Sequence, residues 1–330
     1  MKKIMFVLLL ATLVACGGGG GEKKPMVASS KGLPSELLLV VDEGLWDSDL
    51  KDSINAIVEA QVPGLMNVEK MFRVTRIFSK GYSSTYTTFH TKLIIRLDKS
   101  LKQPMLGLSR NEYAVPQLQL LVAAPTKDAL REFLPKNAEK ILDILTDFQI
   151  EMRVAQLKKK YSKKVDDDLK AVLGMSIRVP ENMGATKKAE NFLWGGTNLL
   201  EKDLNLVVYT YDWHGEDIAD VDHFANKRDS VMERNIPGAN EGQWMQTVRE
   251  KEKKSPLVTC KLRELYGKQV VESRGLWQMR NGALGGPFVC LSRVDTTANK
   301  VIVAEGFVYS PSTDKRDLIR QMEAALRTLK

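Results

Sequence analysis

Hydroxyl, imidazole and carboxylate side chains gather at four places along the chain, and each place implies a different chemistry. Ser79, Ser83, Ser84 and His90 lie in one polar stretch, the raw material for a serine nucleophile activated by a base. Neither a Gly-x-Ser-x-Gly elbow nor a Ser-x-x-Lys pair occurs there, so a polar hairpin loop ending in a sheet-edge histidine is expected. His214 and His223 stand among Asp212, Asp217, Asp220 and Asp222. Their spacing matches neither His-Glu-x-x-His nor a Cys/His finger. The expected role is capping of a helix that begins near Asp220, with no metal and no cofactor. Asp42, Glu43 and Asp47 follow an apolar run, a place where a glycosidase-type carboxylate pair could sit; turn formation and capping is the plainer expectation. Glu272, Arg274, Trp277 and Glu305 form the fourth group. On a strand of period two, Glu272, Arg274 and Leu276 share one face, and Ser273, Gly275 and Trp277 the other. That arrangement is either a binding surface or an ion pair above a core tryptophan, and the second is expected.

Cys16 carries a different chemistry. Lys2 and Lys3 precede an uncharged apolar run from Ile4 to Val14, which falls short of the about 20 residues a membrane-spanning helix needs. The run has the form of a secretion signal. It ends in Leu13-Val14-Ala15-Cys16, which resembles the lipobox of bacterial lipoproteins. The Cys16 thiol is therefore expected to accept diacylglycerol, and two or more chains give stable anchoring where one does not. Gly17 to Gly21 and the polar residues to about Ser35 read as a flexible tether. About 20 such residues span roughly 25 Å. No strand precedes these glycines and no Gly-Lys-Ser/Thr follows, so they are no phosphate loop. Acidic residues directly after a lipidated cysteine resemble a signal for export to the cell surface. Glycines occupy those positions here, so the body is expected to face the periplasm, from the outer membrane.

The net charge of +8 over 330 residues is mild. It suits an ordinary soluble surface, and an envelope location makes nucleic acid an implausible partner. Of three cysteines, Cys260 and Cys290 follow the signal, too few to staple a fold. An apolar core must hold it.

The elements that would position these residues are helices and strands mixed in both halves. Leu37 to Val41 reads as a strand buried on both faces, and Asp47 to Gln61 as a helix closed by Pro63-Gly64. Strands are expected at Met71–Phe78, Lys92–Leu97 and Gln117–Ala123. A long helical region follows Thr126, with Pro135 expected to split it. Beyond a charged stretch near 160–175 come a helix ended by Gly174, strands at Met175–Val179, Phe192–Trp194 and Leu204–Tyr211, and a helix at Asp220–Asn235. A meander follows: Trp244–Val248, Leu257–Glu264, Gln269–Met279, Phe288–Val294 and Val301–Tyr309. Asp314 to Leu329 is a last helix, with Leu318, Ile319, Met322, Ala325 and Leu326 on one stripe. In a simple meander the Cys260 and Cys290 strands flank a third, roughly 9.6 Å apart. A disulfide needs Cα atoms within about 7 Å, so two separate reduced thiols are expected, Cys260 buried beside Val258 and Leu262.

The fold class is therefore α+β: two domains with largely antiparallel sheets packed by helices, the second an α-β-α sandwich with a C-terminal helix. The expected divisions are a signal peptide at 1–15, lipidated cysteine and tether at 16–35, and domains at 36–165 and 166–330. The second half resembles the sandwich of the PsbP and Mog-one proteins in topology alone. A closer resemblance rests on the lipobox, Val40-Val41-Asp42, Val62-Pro63-Gly64-Leu65, Ala225-Asn226-Lys227-Arg228-Asp229-Ser230 and Ile236-Pro237-Gly238. It extends through Glu272-Ser273-Arg274-Gly275-Leu276-Trp277, Gly285-Gly286-Pro287-Phe288, Glu305-Gly306-Phe307-Val308-Tyr309 and Lys315-Arg316-Asp317. With these the chain resembles a family of Bacteroidota envelope lipoproteins catalogued only as a domain of unknown function. The resemblance implies an envelope lipoprotein and brings no catalytic residues. The expected function is a non-enzymatic binding or accessory module, tethered to a membrane through Cys16 and serving a protein or cell-wall partner. The alternative is a hydrolase of envelope polymers.

Overall fold

The structure is a computed structural model and describes residues 28–249 and 258–330. Cys16, the signal and most of the tether lie outside the described residues.

The first half contains β1 (Ala28–Ser29), β2 (Glu36–Val41), α1 (Glu43–Trp46), α2 (Leu50–Val58), β3 (Arg73–Phe78), α3 (Ser84–Thr87) and β4 (Thr91–Leu97). It continues through β5 (Met105–Arg110), β6 (Ala114–Val115), β7 (Leu118–Ala124) and α4 (Lys127–Lys159). Its main sheet has the order β3-β2-β4-β7-β5. β2 runs parallel to β3 and β4, β4 runs parallel to β7, and only the edge strand β5 is antiparallel. This corrects the expectation of an antiparallel sheet for this half. The reason is visible in β2 and β7, which are apolar on both faces, as strands of parallel sheets are. Because β3 and β4 flank β2, residues 79–90 form a crossover and not a hairpin loop. α2 and α4 cover one face through Leu50, Ile54, Ile57, Leu130, Leu134 and Leu145.

Pro135 does not split α4, which runs through it. Proline has no N–H for the Arg131 carbonyl, but both residues are exposed, so the freed acceptor is open to solvent.

The crossover presses on the opposite sheet face and buries Lys92 completely. Its Nζ donates to the Thr87 carbonyl at 2.6 Å and the Tyr82 hydroxyl at 3.1 Å, and the Tyr113 ring lies 5.1 Å away. Burial pushes the ammonium down to about 8. A lysine held low in the fold stays protonated in the unfolded chain up to about 10.4. Stability therefore rises with pH between about 8 and 10. Lys92→Met should gain about 1–2 kcal/mol at pH 7, less than the whole shift implies because the two oxygen partners replace part of the lost hydration. The gain should shrink from pH 8 to pH 10 in urea titrations of the two proteins. A variant that is destabilised at pH 7, or whose advantage is flat with pH, would refute this account.

The second half contains α5 (Lys163–Leu173), β8 (Ala185–Ala189), β9 (Phe192–Gly196), β10 (Asp203–Asp212), α6 (Val221–Asn235) and β11 (Met245–Thr247). Then follow β12 (Thr259–Leu265), β13 (Lys268–Met279), β14 (Gly285–Asp295), β15 (Lys300–Tyr309) and α7 (Arg316–Leu326). The sheet order is β11-β13-β14-β15-β10-β9-β8, with β12 also on β13. Every pairing in it is antiparallel. α5 and α7 pack one face through Val165, Leu169, Ile319, Met322 and Ala325. α6 packs the other through Phe224 and Met232, against Phe288, Val303 and Phe307. The α-β-α sandwich and the α+β class thus hold, and antiparallel pairings predominate over the whole chain. Met175–Val179 is not a strand. Its Ser176 bonds the Lys330 backbone, and Ile177 N–H donates to the Asp166 carboxylate.

The halves interlock. Val62 and Leu65, on the loop after α2, sit in the core beneath α7. Between them Gly64 has φ +80°, and a Cβ there would lie 3.3 Å from Arg274 Cβ and from the Gly275 nitrogen. Only glycine suits both demands. The Glu69 carboxylate accepts from the Lys315 and Arg316 backbone N–H groups at the start of α7. Asp317 accepts from Ser35, Arg73 and Arg153 of the first half.

Candidate functional site

The four residues singled out as a binding surface lie inside the protein, on opposite faces of the second sheet. The period-two assignment holds: Glu272 and Arg274 face α7, and Trp277 faces α6. Arg274 Nε donates to Glu272 at 2.8 Å, and its Nη1 to Glu323, which also accepts from Arg320 at 2.7 Å. Burial pushes the Glu323 carboxyl up, but the two guanidinium groups outweigh it and hold it at about 2. Glu305 belongs to the α6 face and pairs with neither. Its oxygens accept from Arg228 Nε at 2.8 Å and Nη2 at 2.7 Å, a bidentate fork. Arg228 Nη1 also donates to Thr247, whose hydroxyl donates to Asp229. Trp277 Nε1 donates to the Val308 carbonyl at 3.3 Å, and its ring meets Phe307 edge-on. These groups brace helices against the sheet. The sequence reading missed Arg228. Its signal was available, since Arg228 lies four residues from both Phe224 and Met232, on the apolar stripe of α6.

The remaining candidates are dispersed. His90 is buried, with Nδ1 2.7 Å from the Thr91 hydroxyl and Nε2 3.0 Å from the Leu33 carbonyl, and burial lowers its pKa. Ser79 donates instead to Asp42. Asp42, Glu43 and Asp47 line a cleft of about 430 Å³ with Ser79 and Lys80, at the carboxyl ends of β2 and β3. Asp220 caps α6 by accepting from the His223 N–H. Among the described residues no group of three or more His, Cys, Asp or Glu is placed to hold a metal ion. Cys260 and Cys290 are both free, one on each side of Ser273, so the meander expected from the sequence is present. Cys290 is buried and Cys260 partly so. Leu262 is 63% exposed, against expectation, because β12 is an edge strand that helix α6 does not cover along its whole length.

A groove of about 650 Å³, larger than that cleft, opens where α7 ends and the sheet runs on. Its floor is aliphatic: Val154, Val270, Leu291, Ile302 and Leu326. Its walls carry Lys158, Arg178, Lys268, Arg293 and Arg327, and the exposed Tyr266 stands at the rim on the β12–β13 turn. No Asp, Glu or His is among the lining residues. Arg178 pairs with Asp166 and stacks on Tyr161, and Arg327 pairs with Asp147.

Fold and groove define a two-part α+β protein with a recess suited to holding a ligand. The chain belongs to the family of the domain of unknown function DUF4837, whose model matches residues 162–328. Residues 30–158 match a second such domain, DUF8532. The expected membership in a family known only by such a domain is borne out. No curated protein matches the sequence. A crystal structure from Bacteroides thetaiotaomicron VPI-5482 at 1.50 Å resolution is 10% identical, with a TM-score of 0.24. The match covers 47% of this chain and 44% of that one, so the chain spans less than half that relative's length and the likeness carries no fold argument. Among the described residues no helix is long and apolar enough to cross a membrane.

Proposed function

We propose that the chain is a lipid-tethered binding module of the cell envelope, attached through Cys16 and holding its ligand in the groove at the end of α7. The observation that carries this reading is the lining of the groove. An aliphatic floor beneath cationic walls retains and orients a ligand, and no Asp, Glu or His side chain lines it for acid–base work. The tether lets the body stand off the membrane on its periplasmic side. Cys16→Ser should abolish labelling by a palmitate analogue and move the body to the soluble fraction. Labelling that persists in this variant would overturn the lipid attachment. Protease added to intact cells should leave the body uncut, and cutting would place it on the cell surface instead.

One observation favours hydrolysis of envelope polymers as the second reading. The Asp42, Glu43 and Asp47 cleft lies at the carboxyl ends of parallel strands, where sheets of this kind place ligands. A photo-crosslinking residue placed in living cells at Tyr266, on the groove rim, or at Lys80, on the cleft, separates the two. Adducts at 266 support the binding module. Adducts at 80 alone would replace it with the hydrolase.

A further inference from the structure

We propose that the groove takes a single-chain amphiphile with an anionic head, its aliphatic chain along the floor and its head among the cations. The inference rests on the groove being the ligand site, and it names the class of ligand. α7 stops at Leu326 while β14 and β15 extend beyond it as far as Asp295 and Lys300. α7 therefore does not cover the sheet face at this end, where the buried Val270 and Ile302 and the half-buried Leu291 form the floor of the groove.

The cations in the walls fall into two sets. Lys158 lies in the last turn of α4 and Arg327 just past α7, where cations compensate exposed helix carbonyls, and the exposed Lys330 follows in the same segment. Arg327 and Arg178 also have carboxylate partners of their own. Lys268 and Arg293 differ. They are strand residues with no helix terminus to compensate, and no carboxylate among the described residues lies within ion-pair distance of either. Arg293 stands directly across from Ile302 on β15, half-buried on the sheet face that carries the floor. A guanidinium placed on an apolar sheet face without a partner costs free energy. An anionic head recovers that cost, and guanidinium geometry suits a carboxylate or a phosphate equally well. The floor is aliphatic, with Tyr266 as the one aromatic lining residue, which favours an acyl chain over a flat ring system. Carboxylate and phosphate heads share this chemistry, and the probes below distinguish a fatty acid from an acidic lysophospholipid.

The test is titration calorimetry on the full chain carrying Cys16→Ser, with palmitate, lysophosphatidate, the neutral monopalmitin and inorganic phosphate as separate ligands. Palmitate or lysophosphatidate should bind, and the tighter of the two identifies the head. Monopalmitin should bind at least about tenfold more weakly and phosphate alone should not register. Lys268→Gln with Arg293→Gln should weaken the acidic ligand about tenfold or more while the melting temperature stays near that of the parent. The melting temperature is the control for folding. Equal binding of monopalmitin, binding of phosphate alone, or acidic binding untouched by the double variant would each overturn the proposal. Crosslinks at Tyr266 without any binding of these probes would leave the groove as the ligand site and remove the amphiphile.

Discussion

Arg228→Met should cost the protein about 3–5 kcal/mol, the loss typical when one member of a buried ion pair is removed. Both members of the pair are fully buried. Arg228 lies over the Phe288 ring at 4.4 Å, and no water replaces its fork on the Glu305 oxygens. Burial already pushes the Glu305 carboxyl up, and Arg228 is the group that pulls it back. Without the guanidinium, burial and the neighbouring Asp229 charge remain, and both push upward, so the folded-state pKa climbs further above the unfolded value of about 4.3. A carboxyl raised in this way stabilises the fold below its unfolded pKa and loses that contribution as pH rises through the folded one. The deficit of Arg228→Met should therefore be smallest near pH 4 and grow toward pH 7. Arg228→Met with Glu305→Leu replaces both charges by apolar groups and should recover most of the loss, since apolar replacements of buried pairs are often neutral. Urea titrations of the three proteins at both pH values check this. A single variant as stable as the parent at pH 7, or a double variant no better than the single, would show that the pair does not hold α6 to the sheet.

Such pairs were half legible in the sequence. Strand periodicity put Glu272 and Arg274 on one face because β13 alternates strictly and its turns are marked. Tyr266, Asn281 and Asn299 adopt positive φ at the hairpin turns, as short turns between antiparallel strands require. The partner of Glu305 was not legible by strand period, for Arg228 lies in a helix 77 residues away. The parallel order of the first sheet was hidden for a related reason. β2 and β7 are largely apolar on both faces, and a pattern without alternation has no direction. β5 and β8 were missed because both are edge strands without a clear period: Met105–Arg110 has its apolar residues interrupted by Gly107, and Ala185–Ala189 has only alanines around Thr186 and two lysines. The groove left no local trace. Its lining comes from the end of α4, the segment after α5, the β12–β13 turn, the three strands β13, β14 and β15, and the end of α7 with the residues after it, and only the fold brings them together.

Gly306→Ala should cost about 3 kcal/mol, at the upper end of what an added methyl does in a packed core. Gly306 lies on β15 beneath α7, and a Cβ built there would stand 2.4 Å from Met322 Cβ, well inside contact distance. The same helix face buries Met322, Ala325 and Leu326 on the sheet, and its other side carries Glu323 into the Arg274 and Arg320 cluster. α7 must therefore lift as a unit, which strains the Glu69 and Asp317 contacts at its start as well. The opposing atom decides how the defect can be repaired. Shortening a flexible side chain relieves an overlap with its far end, but here the nearest atom is Cβ. Met322→Ala keeps that Cβ and adds a cavity of its own, so it should deepen the loss of Gly306→Ala and not rescue it. Met322→Gly removes the atom and should recover part of it, less the cost of glycine inside a helix, about 1 kcal/mol. Thermal melts of Gly306→Ala alone and with each Met322 substitution measure the order. If Met322→Ala restored the melting temperature, the contact would involve the methionine tip, and α7 would sit higher above β15 than the structure places it.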